Sequence, residues 1–95
     1  MNGEQAVERY LCRKVKEKHG ICCKLTGSNG IPDRLIITND GRCIFVELKA
    51  DGGRLSAVQE AVHYNLRSMK QEVYVLWSFE DVDILMDFLF GKHYA

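Results

Sequence analysis

The 95-residue chain contains a single proline, no long apolar run and no C-x-x-C pair. Because a bilayer-spanning helix needs about 18 or more consecutive apolar residues, we expect no membrane segment. The N-terminal MNGEQAVERY lacks the apolar stretch of an export signal, which favours a cytoplasmic protein. The cysteines lack zinc-site spacing, and in a reducing compartment we expect them to be small core residues: Cys12, Cys22, Cys23 and Cys43.

The chain has no net charge, which does not by itself favour a nucleic-acid partner. The charge is unevenly distributed, however. Residues 1–54 hold ten Lys/Arg against seven Asp/Glu, and residues 55–95 hold three against six. A polyanion could lie along basic residues of the first part, although a solvated helix face explains them equally well: Arg9, Arg13, Lys14, Lys16, Lys18 and Lys24.

The hydrophobic pattern predicts one domain over residues 1–95, with the order α-β-β-β-α-β-α and helices packed on a small sheet. A first helix is expected from about Gly3 to His19, with Gly20 as its C-cap. Strands are expected at ICCKL, DRLIIT, RCIFVELK and EVYVLW, and further helices begin near Ser56 and Ser78.

The last two helices differ in their apolar patterns. The second carries a single apolar stripe: Leu55, Val58, Val62, Leu66 and Met69. The third is apolar on more than one face, which predicts contact with a partner. We expect Trp77 to pack in the core and the three histidines to lie at the surface or at helix ends, without a function: His19, His63 and His93.

The segment GIPDRLIITNDGRCIFVELKA predicts an antiparallel hairpin whose turn is centred on Asp40. That register sets Asp33 directly opposite Glu47. Lys49 lies two residues after Glu47, so both side chains point to the same face of the sheet. The hairpin is therefore expected to bring two carboxylates and an ammonium group together.

Two facing carboxylates repel each other, but a hard divalent cation such as Mg²⁺ makes their proximity favourable. Lys49 could then orient an attacking water or offset charge in a phosphorane-like transition state. This combination suits phosphodiester hydrolysis. The alternative is a surface ion-pair ladder of Glu47, Lys49 and Arg34.

Two further residues could extend this site. Glu4 lies on the inward face of the first helix, at its start, where it could approach the metal or simply interact with the helix dipole. Gln59 lies within the stripe of the second helix, but Ser56-x-x-Gln59 is also a capping box.

Together, Glu4 and the motifs GIPDRL, VELKA and LSAVQ resemble the virus-type replication-repair nuclease (VRR-NUC) domain of the PD-(D/E)XK superfamily. The resemblance extends from the first helix through VYVLW. It implies an α/β (α+β), restriction-endonuclease-like fold with a small mixed sheet. It also implies an Mg²⁺- or Mn²⁺-dependent DNA endonuclease of the stand-alone, phage-type kind, which would work in the host cytoplasm in DNA repair.

The resemblance also implies roles for individual residues. Asp33 and Glu47 would bind metal with the Leu48 carbonyl, and Glu4 would coordinate directly, through water or at a second metal. Lys49 would be the catalytic lysine, and Gln59 would orient that lysine or the water. Lys24 would contact a phosphate, and we add two residues as candidate DNA contacts: Arg34 and Arg54.

Resemblance to the small stand-alone members of this family implies a homodimer that cuts branched DNA. A four-way (Holliday) junction is therefore the expected substrate. The two-sided third helix at the C-terminus would form the dimer. Alternatives are a flap or single-strand-selective nuclease, a restriction-system subunit, an RNA hydrolase and a non-catalytic DNA-binding module. The intact set of Asp33, Glu47 and Lys49 argues against the last.

Overall fold

A computed structural model describes residues 3–91 and has the element order that the sequence predicts. The helices and strands, numbered along the chain, are α1 (Glu4–Glu17), β1 (Ile21–Lys24), β2 (Arg34–Ile37), β3 (Cys43–Leu48), α2 (Ala57–Ser68), β4 (Val73–Leu76) and α3 (Phe79–Phe90). The predicted α+β class is confirmed.

The four strands form one mixed sheet in the order β1-β2-β3-β4. The first two pairings are antiparallel, whereas β3 and β4 run parallel because α2 crosses over between them. Between β2 and β3, Thr38 N–H donates to the Arg42 carbonyl (2.8 Å) and Gly41 adopts a φ of 93°. A three-residue turn with glycine in the left-handed position produces this closure, so the predicted hairpin is confirmed.

The core lies between one face of the sheet and the two helices α1 and α3. On α1, Val7, Leu11 and Val15 recur every four residues and are fully buried. They pack in one cluster with alternate β3 residues and with the inner side of α3: Ile44, Val46, Leu48, Val82, Leu85, Met86 and Leu89. Period-two alternation along β3 thus supplies one wholly aliphatic face.

The α2 helix does not bury its apolar stripe as expected. Val58 and Met69 are exposed, and the one fully buried residue of the helix is His63. The Ser56 cap and its capping box with Gln59 form as predicted. This helix therefore covers the opposite side of the sheet with a polar residue at its centre.

The end of α1 corrects the expected glycine cap. Lys18 is the C-cap and His19 takes the left-handed conformation, with a φ of 63°. Gly20 follows it and donates to the Val15 carbonyl (3.0 Å), as in a Schellman motif. A Cβ at Gly20 would come within 2.9 Å of the Val15 side chain, so close packing explains the glycine.

Two expectations about core residues are wrong. Trp77 is 37% exposed, and its indole N–H donates to the Gly53 carbonyl (2.8 Å), which ties the loop after β3 to the end of β4. None of the four cysteines is buried: Cys43 is exposed and the others are half-buried free thiols. Cys22 and Cys23 lie in the edge strand β1 and Cys43 begins β3, where a small sheet offers little cover. Cys12 lies on α1 beside Cys22.

Candidate active site

Three carboxylates from separate parts of the chain meet at one end of the sheet. Glu4 opens α1, Asp33 immediately precedes β2, and Glu47 lies in β3. One carboxylate oxygen from each residue lies within 4.8 Å of the others. The approach of Glu4, which the sequence left open, is therefore realised in the folded chain.

The hairpin register positions Asp33. Arg34 pairs with Val46, and continuing this register by one residue sets Asp33 across from Glu47, as predicted. Asp33 Oδ2 accepts the Leu48 N–H (2.8 Å), which fixes the side chain against the neighbouring strand. The main chain of Asp33 is held as well, since its carbonyl accepts the Leu25 N–H (2.9 Å).

The glycine of the GIPD motif brings the loop before Asp33 against α2. Gly30 has a φ of 84°, which side chains rarely tolerate. An added Cβ would lie 2.7 Å from the Val58 side chain and 2.9 Å from that of Val62. Gly30 is therefore required both for its conformation and for the close approach of the loop to α2.

Glu47 is a buried acid, with only 1% of its surface exposed. Burial raises its pKa to about 8, and repulsion from Asp33 adds to the increase, while Lys49 opposes it. Its Oε1 has no hydrogen-bond partner among residues 3–91. A crowded set of three carboxylates with an unpartnered oxygen suits a hard divalent cation, which prefers oxygen ligands.

Lys49 follows Glu47 by two residues and is half-buried. Its backbone N–H donates to the Leu76 carbonyl (2.9 Å), which extends the β3–β4 pairing past Leu48. Within residues 3–91 its ammonium group forms no ion pair. The alternative ion-pair ladder is absent from these residues, since Arg34 instead contacts Glu8 (2.7 Å).

Gln59 reaches Glu47 rather than Lys49. Its Oε1 accepts the Ser56 N–H (2.9 Å) in the capping box, which turns the amide nitrogen toward the sheet. That nitrogen donates to Glu47 Oε2 at 3.4 Å. Gln59 can therefore act both as a helix cap and in the site, because its amide oxygen accepts the capping hydrogen bond while its amide nitrogen donates to Glu47.

His63 contradicts the expectation of a surface histidine. It is 1% exposed, and its Nε2 lies 3.4 Å from Glu47 Oε1. Burial lowers its pKa, and the nearby cations Arg67 and Lys49 lower it further. The four-residue spacing from Gln59 is the one sequence signal that could have identified it. His19 is exposed at a helix end, as expected, and His93 lies outside the described residues.

Comparisons with known proteins bear on this arrangement. No family model matches the chain. It is 36% identical over 75 residues to "Putative nuclease p44" of Acyrthosiphon pisum secondary endosymbiont phage 1, an alignment that covers 77% of this chain and 81% of that protein. A solved structure described as "VRR_NUC domain" superimposes with a TM-score of 0.82 at 28% identity, covering 92% of this chain and 97% of the other. The chain belongs to the VRR-NUC nuclease family.

The candidate DNA contacts of this VRR-NUC chain lie in different settings. Lys24 is exposed at the end of β1, and Arg54 is exposed in the loop before α2. Arg34 is held by Glu8 and by the Cys22 carbonyl (3.2 Å). Lys24 and Arg54 are therefore accessible from solvent, whereas the Arg34 guanidinium is already hydrogen-bonded within the fold. No helix within residues 3–91 has the length and apolar character needed to cross a membrane.

Proposed function

We propose that this VRR-NUC chain is an Mg²⁺- or Mn²⁺-dependent endodeoxyribonuclease that acts on four-way DNA junctions as a homodimer. The observation that carries the metal-dependent chemistry is the convergence of Glu4, Asp33 and Glu47 within 4.8 Å, beside Lys49, in a member of a nuclease family. Residues 1–95 would act as one nuclease unit in the cytoplasm, in DNA repair.

In this proposal Asp33, Glu47 and Glu4 hold the cation, with the Leu48 carbonyl as a further ligand. A bound divalent cation supplies a Lewis acid and lowers the pKa of a coordinated water. Lys49 contributes a positive charge on the same face, where it orients the attacking water or offsets charge on the phosphoryl oxygens. Gln59 holds the Glu47 carboxylate, and Lys24 and Arg54 contact phosphates on either side.

The dimer is supported by an exposed apolar surface at β4 and α3, which we name the α3 groove. It encloses about 380 Å³, and its lining includes Tyr74, Trp77, Ile84 and Phe88. Ile84 is 68% exposed, and β4 lies at the edge of the sheet. A second copy packed here by two-fold symmetry would present two active sites, as paired cuts in a junction require.

The decisive experiment measures cleavage of a labelled four-way junction, with a flap, a linear duplex and a single strand alongside, in Mg²⁺, Mn²⁺ or EDTA. We expect metal-dependent, paired symmetric nicks on the junction. Metal-dependent cutting of flaps or single strands would support the proposed metal-dependent hydrolysis but contradict the proposal that the substrate is a four-way junction. No cleavage by folded protein in either metal would favour a non-catalytic DNA-binding module.

A further inference from the structure

A buried histidine, His63, lies beside the three carboxylates and has no role in the chemistry proposed above. His63 and Glu47 are each 1% exposed, and they are the two most buried ionisable side chains of residues 3–91. Glu47 Oε1 and both ring nitrogens of His63 lack hydrogen-bond partners within those residues. Buried polar atoms normally have partners, so three unpartnered atoms in one place need an explanation.

The geometry suggests that two of these atoms, His63 Nε2 and Glu47 Oε1, are partners of each other. The Nε2 atom of His63 faces Glu47 Oε1 at 3.4 Å, close to a hydrogen bond but not aligned as one. A neutral imidazole carries one N–H and one lone pair. An Nε2–H directed at a carboxylate oxygen is attractive, whereas an Nε2 lone pair there would repel it. The Nε2–H form is therefore the favoured tautomer at this position.

The same helix contacts the other oxygen of this carboxylate. Gln59 lies one turn before His63 on α2, and its amide nitrogen donates to Glu47 Oε2 at 3.4 Å. The two side chains thus approach the two oxygens of Glu47 from adjacent turns. Each carboxylate oxygen has two lone pairs, so it can accept such a bond and still bind a cation.

We propose that His63 is a positioning residue that donates its Nε2–H to Glu47 Oε1 and, with Gln59 on Oε2, orients this carboxylate for the cation. The proposal rests on the proposed function, since it assigns Glu47 to metal binding. Groups that hold a metal ligand by hydrogen bonds typically alter metal affinity about 10–100-fold when they are replaced. His63 would accordingly act on metal affinity without touching the metal or the DNA.

The first test compares three variants by calorimetric titration with Mn²⁺ alone. The amide nitrogen of Gln can occupy the place of the histidine Nε2, whereas that of Asn corresponds to Nδ1. We expect His63→Gln to bind Mn²⁺ within a few-fold of the wild type, and His63→Asn and His63→Leu to bind roughly 10–100-fold more weakly. Val82→Ala, in the core on α3, is the control for lost stability and should retain wild-type affinity.

The main readout of the second measurement comes from wild-type protein, so the tautomer is determined whether or not a variant folds. Long-range ¹H–¹⁵N spectra of the metal-free protein should show His63 as the Nε2–H tautomer, with a resonance that shifts in Glu47→Gln. An Nδ1–H tautomer, or wild-type affinity in folded His63→Leu, would overturn the proposal. If the wild type binds no Mn²⁺, the proposed metal chemistry fails together with the orienting role of His63.

Discussion

The two faces of β3 differ in what they bury. Ile44, Val46 and Leu48 are fully buried and point into the hydrophobic core between the sheet and the helices α1 and α3. On the other face, Glu47 is just as deeply buried but lies beside another carboxylate and a histidine whose ring nitrogens have no aligned hydrogen-bond partner within residues 3–91. Burial of the apolar face stabilises the fold, whereas burial of polar groups on the other face lowers its stability. Functional sites often combine such destabilising groups with activity.

The largest expected effect concerns the polar face. Asp33→Asn should reduce cleavage at least about 100-fold, because it removes a charge from the proposed metal site, and such a charge contributes several kcal/mol to a metal-assisted reaction. Folding should be preserved, since the Asn carbonyl can still accept the Leu48 N–H. Lys49→Ala should likewise abolish cleavage without unfolding. Activity is measured on the junction substrate, and folding by circular dichroism.

Asp51→Asn is the matched control, since Asp51 is exposed in the loop after β3. It should cleave like the wild type. An Asp33→Asn or Lys49→Ala protein that unfolds would assign these charges a structural role and would remove the contrast between the faces.

The next effect tests the aliphatic face. Leu11→Ala should lower the free energy of unfolding by roughly 3 kcal/mol, because Leu11 is fully buried between α1 and the sheet. Met69→Ala, at a position that is 62% exposed, should change it by less than about 0.5 kcal/mol. Urea unfolding measures both, and equal effects would show that α1 does not form the core.

An effect that depends on pH should also distinguish the faces. In EDTA, Glu47→Gln should be more stable than the wild type at high pH, by up to about 5 kcal/mol, because the wild type must then bury a charge. The pKa of Glu47 rises from 4.5 to about 8 on folding, so the folded state holds this proton more tightly. The advantage of Glu47→Gln should therefore be absent below pH 4.5, grow up to about pH 8 and then level off.

Unfolding curves of both proteins across this range measure that difference. A difference in the free energy of unfolding that stays constant at all pH values would contradict the raised pKa of Glu47. It would mean that neighbouring groups stabilise the ionised carboxylate in the folded state. Saturating Mn²⁺ should stabilise the wild type more than Glu47→Gln, because the variant lacks one of the three carboxylates proposed to bind the ion.

Substitutions in the α3 groove should have the smallest effect on the stability of the folded chain and should act on its association instead. Ile84→Glu should halve the mass measured by light scattering, because a charge in an apolar contact disfavours association. The fold should be unaffected, since Ile84 is 68% exposed. Glu80→Gln, on the first turn of the same helix, is the control. An unchanged mass for Ile84→Glu would remove α3 as the dimer surface.

The amino-acid sequence alone determined the element order and the pairing of Asp33 with Glu47. Both follow from local rules: apolar periodicity selects helix or strand, and the Asn39-Asp40-Gly41 turn sets a register in which side chains alternate between faces. Lys49 then shares the face of Glu47 without any long-range information.

Only the tertiary structure decided which distant side chains join that pair. Glu4 reaches the carboxylates because α1 packs on the sheet, and His63 is buried because α2 packs on the opposite face, where its ring lies against Glu47. The ion pair of Arg34 with Glu8 and the hydrogen bond from Trp77 to the Gly53 carbonyl likewise join separate elements of the fold. Such contacts depend on how separate elements pack, and the spacing of residues along one element does not encode that.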